Sequence, residues 1–221
     1  MSVAVDVRCY VIVDPEACAG HDALRVAMAA ARGGATIIQL RDKRGSVPAM
    51  LALARQMKRT LADIGVPFVV NDRVDVALVA EANGVHVGQD DLPAMEARQL
   101  LGPEAIVGLS HKTPTEVAAS PVEMLSYAAI GGIFPTTSKE QGASGLEAFA
   151  DMAQAMRARA PGLPIVGIAG ITAGNAAAVI GAGADGVAVI SAVCGADDPE
   201  GATRELRAVV DAALAEREGG A

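Results

Sequence analysis

The feature that most constrains the fold is an eightfold alternation of two kinds of segment. Short runs rich in Val and Ile are each followed by a longer run, often Ala-rich, whose apolar residues recur at helical spacing. Strands that are apolar without a break are buried on both faces. Parallel neighbours need a crossover of a dozen or more residues, which a helix supplies. The strand-like runs are Cys9–Val13, Thr36–Leu40, Pro67–Asn71, Val85–Val87, Ile106–Leu109, Tyr127–Ile133, Ile165–Ile168 and Gly186–Ile190. Helices are expected at about Asp22–Arg32, Val47–Ile64, Arg73–Ala82 and Pro93–Leu101. They are also expected from Pro114 until Pro121 stops the run, and at about Leu146–Ala158, Ala173–Ile180 and Gly201–Glu216. Eight such units in 221 residues predict an α/β fold, a single-domain (β/α)8 TIM barrel with a frayed tail at 217–221. An open doubly wound sheet is the alternative, but no GxGxxG opens the first helix.

Composition narrows the function. A net charge of −8 without basic runs, and 2% aromatic residues, argue against nucleic-acid binding. Cys9, Cys18 and Cys194 are scattered, without CxxC or Cys/His metal spacing, and read as reduced thiols. The first residues do not read as a signal peptide, and no apolar run is long enough for a bilayer, so a cytoplasmic protein without membrane partners is expected. The oligomeric state is not fixed by the sequence; a homo-oligomer is compatible with it.

In this architecture active sites are built where strands end, so the polar residues there are informative. Strand 2 ends in Gln39, Leu40, Arg41, Asp42 and Lys43, strand 3 in Asn71 and Asp72, and strand 4 in Gly88, Gln89, Asp90 and Asp91. Strand 5 ends in Ser110, His111 and Lys112, strand 6 in a run containing Thr136, Ser138 and Lys139, and strands 7 and 8 in Gly170 and Ile190-Ser191. Asp72 and Asp91 stand nineteen residues apart, one βα unit, each just past its strand. Two carboxylates on neighbouring strands suit Mg2+, which takes one or two carboxylates plus substrate phosphates; the plainer alternative is that each caps a helix. Arg41, Lys43, Lys112 and Lys139 gather positive charge at the mouth of an acidic protein, as an anionic ligand requires, whereas Arg44 and Arg73 read as solvated loop charge. Gly170 and Ile190-Ser191 suit phosphate binding through backbone N–H groups after strands 7 and 8. The Gly181–Gly186 stretch reads as a tight turn on the opposite face. Among the histidines, His86 is expected in the barrel interior, His21 on the surface and His111 at the rim. Two phosphate-type sites, one with a metal, suggest the joining of two phosphorylated small molecules.

Taken together, Gln39-Leu40-Arg41-Asp42-Lys43, Asn71-Asp72, Val85-His86-Val87-Gly88-Gln89-Asp90-Asp91, Ile133-Phe134-Pro135-Thr136 and Ile190-Ser191 resemble the thiamine-phosphate synthase family, from about Tyr10 to Val193. The resemblance implies a (β/α)8 fold and a transferase condensing a hydroxymethylpyrimidine diphosphate with a phosphorylated hydroxyethylthiazole. It implies that Gln39, Arg41, Lys43 and Asn71 bind the pyrimidine diphosphate, Ser110 touches the same substrate, and Lys139 holds its diphosphate. Arg41, Lys43 and Lys139 would be the catalytic cations, and Asp72 and Asp91 would hold Mg2+. Thr136, Ser138, Gly170, Ile190 and Ser191 would take the thiazole phosphate. The chain departs from the family pattern at Gly131-Gly132, where Gly-Pro is common, at Ala169 beside Gly170, where Gly-Gly is usual, and at Ser138, where Thr is common. The loop from Lys139 to Gly145 is also shorter than in many members. Lys112 stands where the family has a His two residues after the strand-5 Ser. The alternatives are a thiazole tautomerase on the same fold, which needs that His, and a non-catalytic phosphate-binding barrel.

Overall fold

The computed structural model describes residues 5–135 and 144–220. Eight parallel strands close in chain order: β1 (Cys9–Val13), β2 (Ile37–Leu40), β3 (Phe68–Asn71), β4 (Gly84–Val87), β5 (Ile106–His111), β6 (Tyr127–Ile130), β7 (Ile165–Ile168) and β8 (Gly186–Val189), with β8 pairing back onto β1. The surrounding helices are α1 (Ala23–Arg32), α2 (Val47–Ile64), α3 (Val74–Val79), α4 (Ala94–Leu101), α5 (Pro114–Ala119), α6 (Gly145–Arg159), α7 (Ala173–Gly181), α8 (Ser191–Cys194) and α9 (Pro199–Gly219). None of the described helices is long and apolar enough to cross a membrane.

The continuous apolar runs resolve into two cores by the period-two alternation of a strand. Val11, Val13, Ile38, Leu40, Phe68 and Val70 point outward and pack under the helices. Tyr10, Ile12, Ile37, Val69, Ile106, Tyr127 and Val166 point inward and fill the barrel. The last inward position of several strands is polar, and this carries Gln39, Asn71, His86 and Ser110 up to the mouth.

Local chemistry explains the element ends. α2 begins where Ser46 accepts from Ala49 N at 3.3 Å and ends at Gly65, whose φ of 80° suits glycine. Among the differences from the sequence reading, three concern where elements end. β6 stops at Ile130, because Gly131 and Gly132 turn the chain, the latter at φ 82°. α3 is one and a half turns long, ended by Glu81 at φ 54°. Where a frayed tail was expected from 217, α9 runs on to Gly219, and Arg217 ties it down through the carbonyls of Ile180 (3.2 Å) and Ala184 (2.7 Å) and the Asp185 carboxylate (3.1 Å).

Candidate active site

Two cavities adjoin at the C-terminal mouth of the barrel. The first, of about 360 Å³, is lined by Gln39, Arg41, Lys43, Asn71, Asp72, Asp91, Ser110 and Lys112 among others. Arg41 is held by an ion pair with the buried Asp14, which follows β1 and also accepts from Glu16 N at 3.0 Å. Lys43 reaches across from the β2 loop to pair with the Asp72 carboxylate. Asp72 adopts φ 62°, the left-handed region that Asp tolerates better than most residues, and this turns its carboxylate toward the mouth. Burial raises its pKa above the ordinary 3.8; Lys43 opposes the rise and the adjacent Asp91 carboxylate adds to it.

Neither acid caps a helix through its side chain. The N-cap residues are Arg73 for α3 and Pro93 for α4, both without a side-chain cap bond, so the capping alternative fails. Asp91 instead accepts from Gly88 N at 2.8 Å, which fixes the carboxylate beneath the cavity. Two neighbouring carboxylates, one with its ionised form disfavoured by burial and by the other, are the donor set a hard divalent cation satisfies. No group of three or more His, Cys, Asp or Glu placed to hold a metal ion occurs among the described residues.

The second cavity, of about 280 Å³, is lined by Gly131, Gly132, Phe134, Pro135, Ala169, Gly170, Thr172, Ile190 and Ser191, and shares Ser110, Lys112, Ile168 and Ile190 with the first. Gly170 has φ 66°, and a Cβ there would lie 2.5 Å from Pro135 O and 2.7 Å from Phe134 Cβ, so only glycine fits. Asn175 fixes this turn by donating to Gly170 O at 3.0 Å and accepting from Thr172 N at 2.8 Å. Ser191 opens the short helix α8 just past Ile190.

The structure thus brings Gln39, Arg41, Lys43, Asn71, Asp72, Asp91 and Ser110 to one cavity and Gly170, Ile190 and Ser191 to the next. Thr136, Ser138 and Lys139 lie outside the described residues. Lys112 lines both cavities. His111, expected at the rim, is buried: its ring sits between Ser120 Oγ at 3.0 Å and the carbonyl of Ala129 at 3.3 Å, because the inward position before it belongs to Ser110. Arg44 and Arg73 do form exposed pairs, with Glu16 and Asp75. His86 lies in the interior and His21 is exposed, as expected. The sequence reading missed Asp14, although it ends a strand like the other rim residues. Gln89, named among the strand-4 rim residues but given no role there, donates to Ser110 O at 2.7 Å.

Comparison with known proteins agrees with this fold. Residues 9–193 match the family model described as thiamine monophosphate synthase. A thiamine-phosphate synthase of Roseiflexus sp. (strain RS-1) is 50% identical over 213 residues, 94% of this chain and 87% of its own. One of Xanthobacter autotrophicus is 45% identical over 208 residues, 94% of this chain and 97% of its own. Among solved structures, thiamine phosphate pyrophosphorylase from Pyrococcus furiosus superposes with a TM-score of 0.83 at 33% identity, covering 95% of this chain and 98% of that one. A tryptophan synthase from Mycobacterium tuberculosis shares the fold alone, with a TM-score of 0.69 at 17% identity. Since the match runs from the first residue of β1 into α8 and so takes in both cavities, the chain belongs to the thiamine-phosphate synthase family, transferases of thiamine biosynthesis.

Proposed function

We propose that the chain joins 4-amino-5-hydroxymethyl-2-methylpyrimidine diphosphate to 4-methyl-5-(2-phosphoethyl)thiazole, releasing thiamine monophosphate and diphosphate. The observation that carries this reading is the pair of adjoining cavities with Ser110, Ile168 and Ile190 as their common wall. One is rich in cations and carboxylates and suits a diphosphate; the other is small, apolar and bounded by Gly170 and Ser191, and suits a ring with a monophosphate.

In the reaction, the bond between the pyrimidine methylene carbon and the diphosphate oxygen breaks, and the electron pair leaves with the diphosphate. The electron-deficient carbon is stabilised by the aminopyrimidine ring, and the thiazole nitrogen lone pair then forms the new C–N bond. No proton need be removed at the reacting carbon, so the protein's task is to position two rings and balance charge. Arg41 presents a planar fork and Lys43 a mobile point charge to the diphosphate, and Asn71 donates from the adjacent strand end. Asp72 and Asp91 would hold Mg2+, which when bound adds positive charge where the leaving group becomes more anionic. Gly170, Ile190 and Ser191 would hold the thiazole phosphate, with Thr136 and Ser138 from the β6 loop and Lys139 on the diphosphate. Incubating the protein with both substrates and MgCl2 should yield thiamine monophosphate, read by chromatography. Folded protein that forms none overturns the reading.

A further inference from the structure

Five side chains from five strands make one continuous hydrogen-bonded chain through the barrel interior. Gln39 Nε2 donates to the Tyr10 hydroxyl, and the Tyr10 and Tyr127 hydroxyls lie 2.7 Å apart. The Tyr127 hydroxyl is 2.9 Å from His86 Nδ1, and His86 Nε2 is 2.8 Å from Ser110 Oγ. The rings are packed as well as bonded. Tyr127 meets Tyr10 edge-on at 5.5 Å and stacks on His86 at 5.7 Å, in space left by Gly108, where a Cβ would fall 2.1 Å from Tyr127 Cζ. Only the two ends, Gln39 and Ser110, and the edge of His86 line the first cavity.

Proton counting fixes the direction of this chain. Tyr10 accepts from Gln39, so its own proton goes to its other neighbour, Tyr127. With His86 as a neutral imidazole, a proton donated by Tyr127 to Nδ1 places the ring proton on Nε2, toward Ser110 Oγ. Burial pushes the pKa of both tyrosines upward, so both remain phenols with one proton to give. Ser110 then keeps its hydroxyl proton for the cavity, and Gln39 keeps Oε1. Reversing either end requires reversing every bond between them.

We propose that the Tyr10–Tyr127–His86 chain sets the hydrogen-bonding polarity of Gln39 and Ser110, making the first cavity an acceptor–donor pair that reads the amino and ring-nitrogen edge of an aminopyrimidine and rejects the 4-oxo isostere. The three are positioning residues, and the proposal rests on the reading of that cavity as the pyrimidine site. An amino group beside a ring nitrogen offers a donor and an acceptor. The oxo tautomer offers the reverse, and would face two mismatched polar contacts in a buried site.

The test is calorimetric binding of the aminopyrimidine diphosphate and of its 4-oxo counterpart, in Mg2+ and without the thiazole phosphate, so that reactivity does not enter. The wild type should prefer the amino compound by about 100-fold or more, and Tyr127→Phe should cut that preference by about 10-fold or more. Tyr10→Phe, which frees Gln39 directly, should do the same and serves if Tyr127→Phe does not fold. A packing role would weaken both ligands alike and leave the ratio unmoved; an unmoved ratio in the folded variants overturns the proposal while the functional reading stands. A wild type that binds neither compound overturns the functional reading, and the proposal with it.

Discussion

Ala169 and Gly170 are neighbours with positive φ, 93° and 66°, yet they respond to substitution in opposite ways. Nothing but glycine fits at Gly170, where a Cβ would meet Pro135 O and Phe134 Cβ. At Ala169 the side chain is already present in a region that costs an L-residue roughly 1–2 kcal/mol, partly offset because alanine has less unfolded-state entropy to lose than glycine. Ala169→Gly should therefore raise stability by about 0.5–1 kcal/mol in chemical denaturation, and Gly170→Ala should lower it by at least as much and weaken thiazole-phosphate binding. Asp72 is a third such residue, and Asn tolerates its φ of 62° equally. Because burial raises the Asp72 pKa, the ionised group costs ligand-free stability as pH rises from 3.8 through the folded-state value, and the cost persists above it. Asp72→Asn removes that cost. It should leave the ligand-free melting temperature at pH 7 unchanged or higher, while activity falls and the Mg2+ requirement rises. A melting temperature lower by many degrees with normal activity per folded molecule would mean the carboxylate serves the fold and not a metal.

At the scale of elements, β5 and α5 carry a pH dependence that has nothing to do with catalysis. Burial lowers the His111 pKa below the ordinary 6.5, although the Ala129 carbonyl beside its ring opposes the shift. The unfolded chain then binds the proton more readily than the fold does. The contribution of neutral His111 is complete above pH 6.5 and is lost as the pH falls from there toward the lower folded-state value. Urea midpoints should accordingly drop between pH 7 and 5, and His111→Gln should flatten that part of the profile; an unchanged slope would place the acid sensitivity elsewhere. The same strand shows how far the sequence could be read. α2 was legible to the residue, because Ser46, Pro48 and Gly65 mark its ends by capping, first-turn tolerance and left-handed termination. β5 was legible only to Leu109: the strand continues through Ser110 and His111, and which of the two faces inward depends on register with β6, where Ser110 pairs with Ala129 and His111 with Ile130. Polarity alone could not separate Ser110, which lines both cavities, from His111, which is buried and reaches only the second.

At the scale of the molecule, the closed strand order explains why so much of the mouth was legible. Once eight units are counted, the polar ends of consecutive strands must be neighbours, and Asp72 and Asp91 fall together without any knowledge of side chains. The interior tyrosines were not legible, since an aromatic in an apolar run reads as core whether or not its hydroxyl joins Gln39 to His86. The barrel also divides the work. β2–β5 supply the charged cavity and β5–β8 the apolar one, with Ser110 and Ile168 between. Arg41 and Ser191 lie on opposite sides of that division and share no hydrogen-bond partner among the described residues. Arg41→Gln keeps an amide for Asp14 but removes the charge. It should raise KM for the pyrimidine diphosphate about 10- to 100-fold, the size of a lost charge-assisted contact, and leave KM for the thiazole phosphate within about twofold. Ser191→Ala should do the reverse more gently, about 3- to 10-fold on the thiazole phosphate alone, since only a neutral hydroxyl is lost. Because the two side chains contact different substrates, the logarithms of the effects should add in the double variant to within about 0.5 kcal/mol. Steady-state kinetics with each substrate varied in turn decides the matter: if either single variant shifts both KM values equally, the two cavities act as one site and the assignment of one substrate to each is wrong.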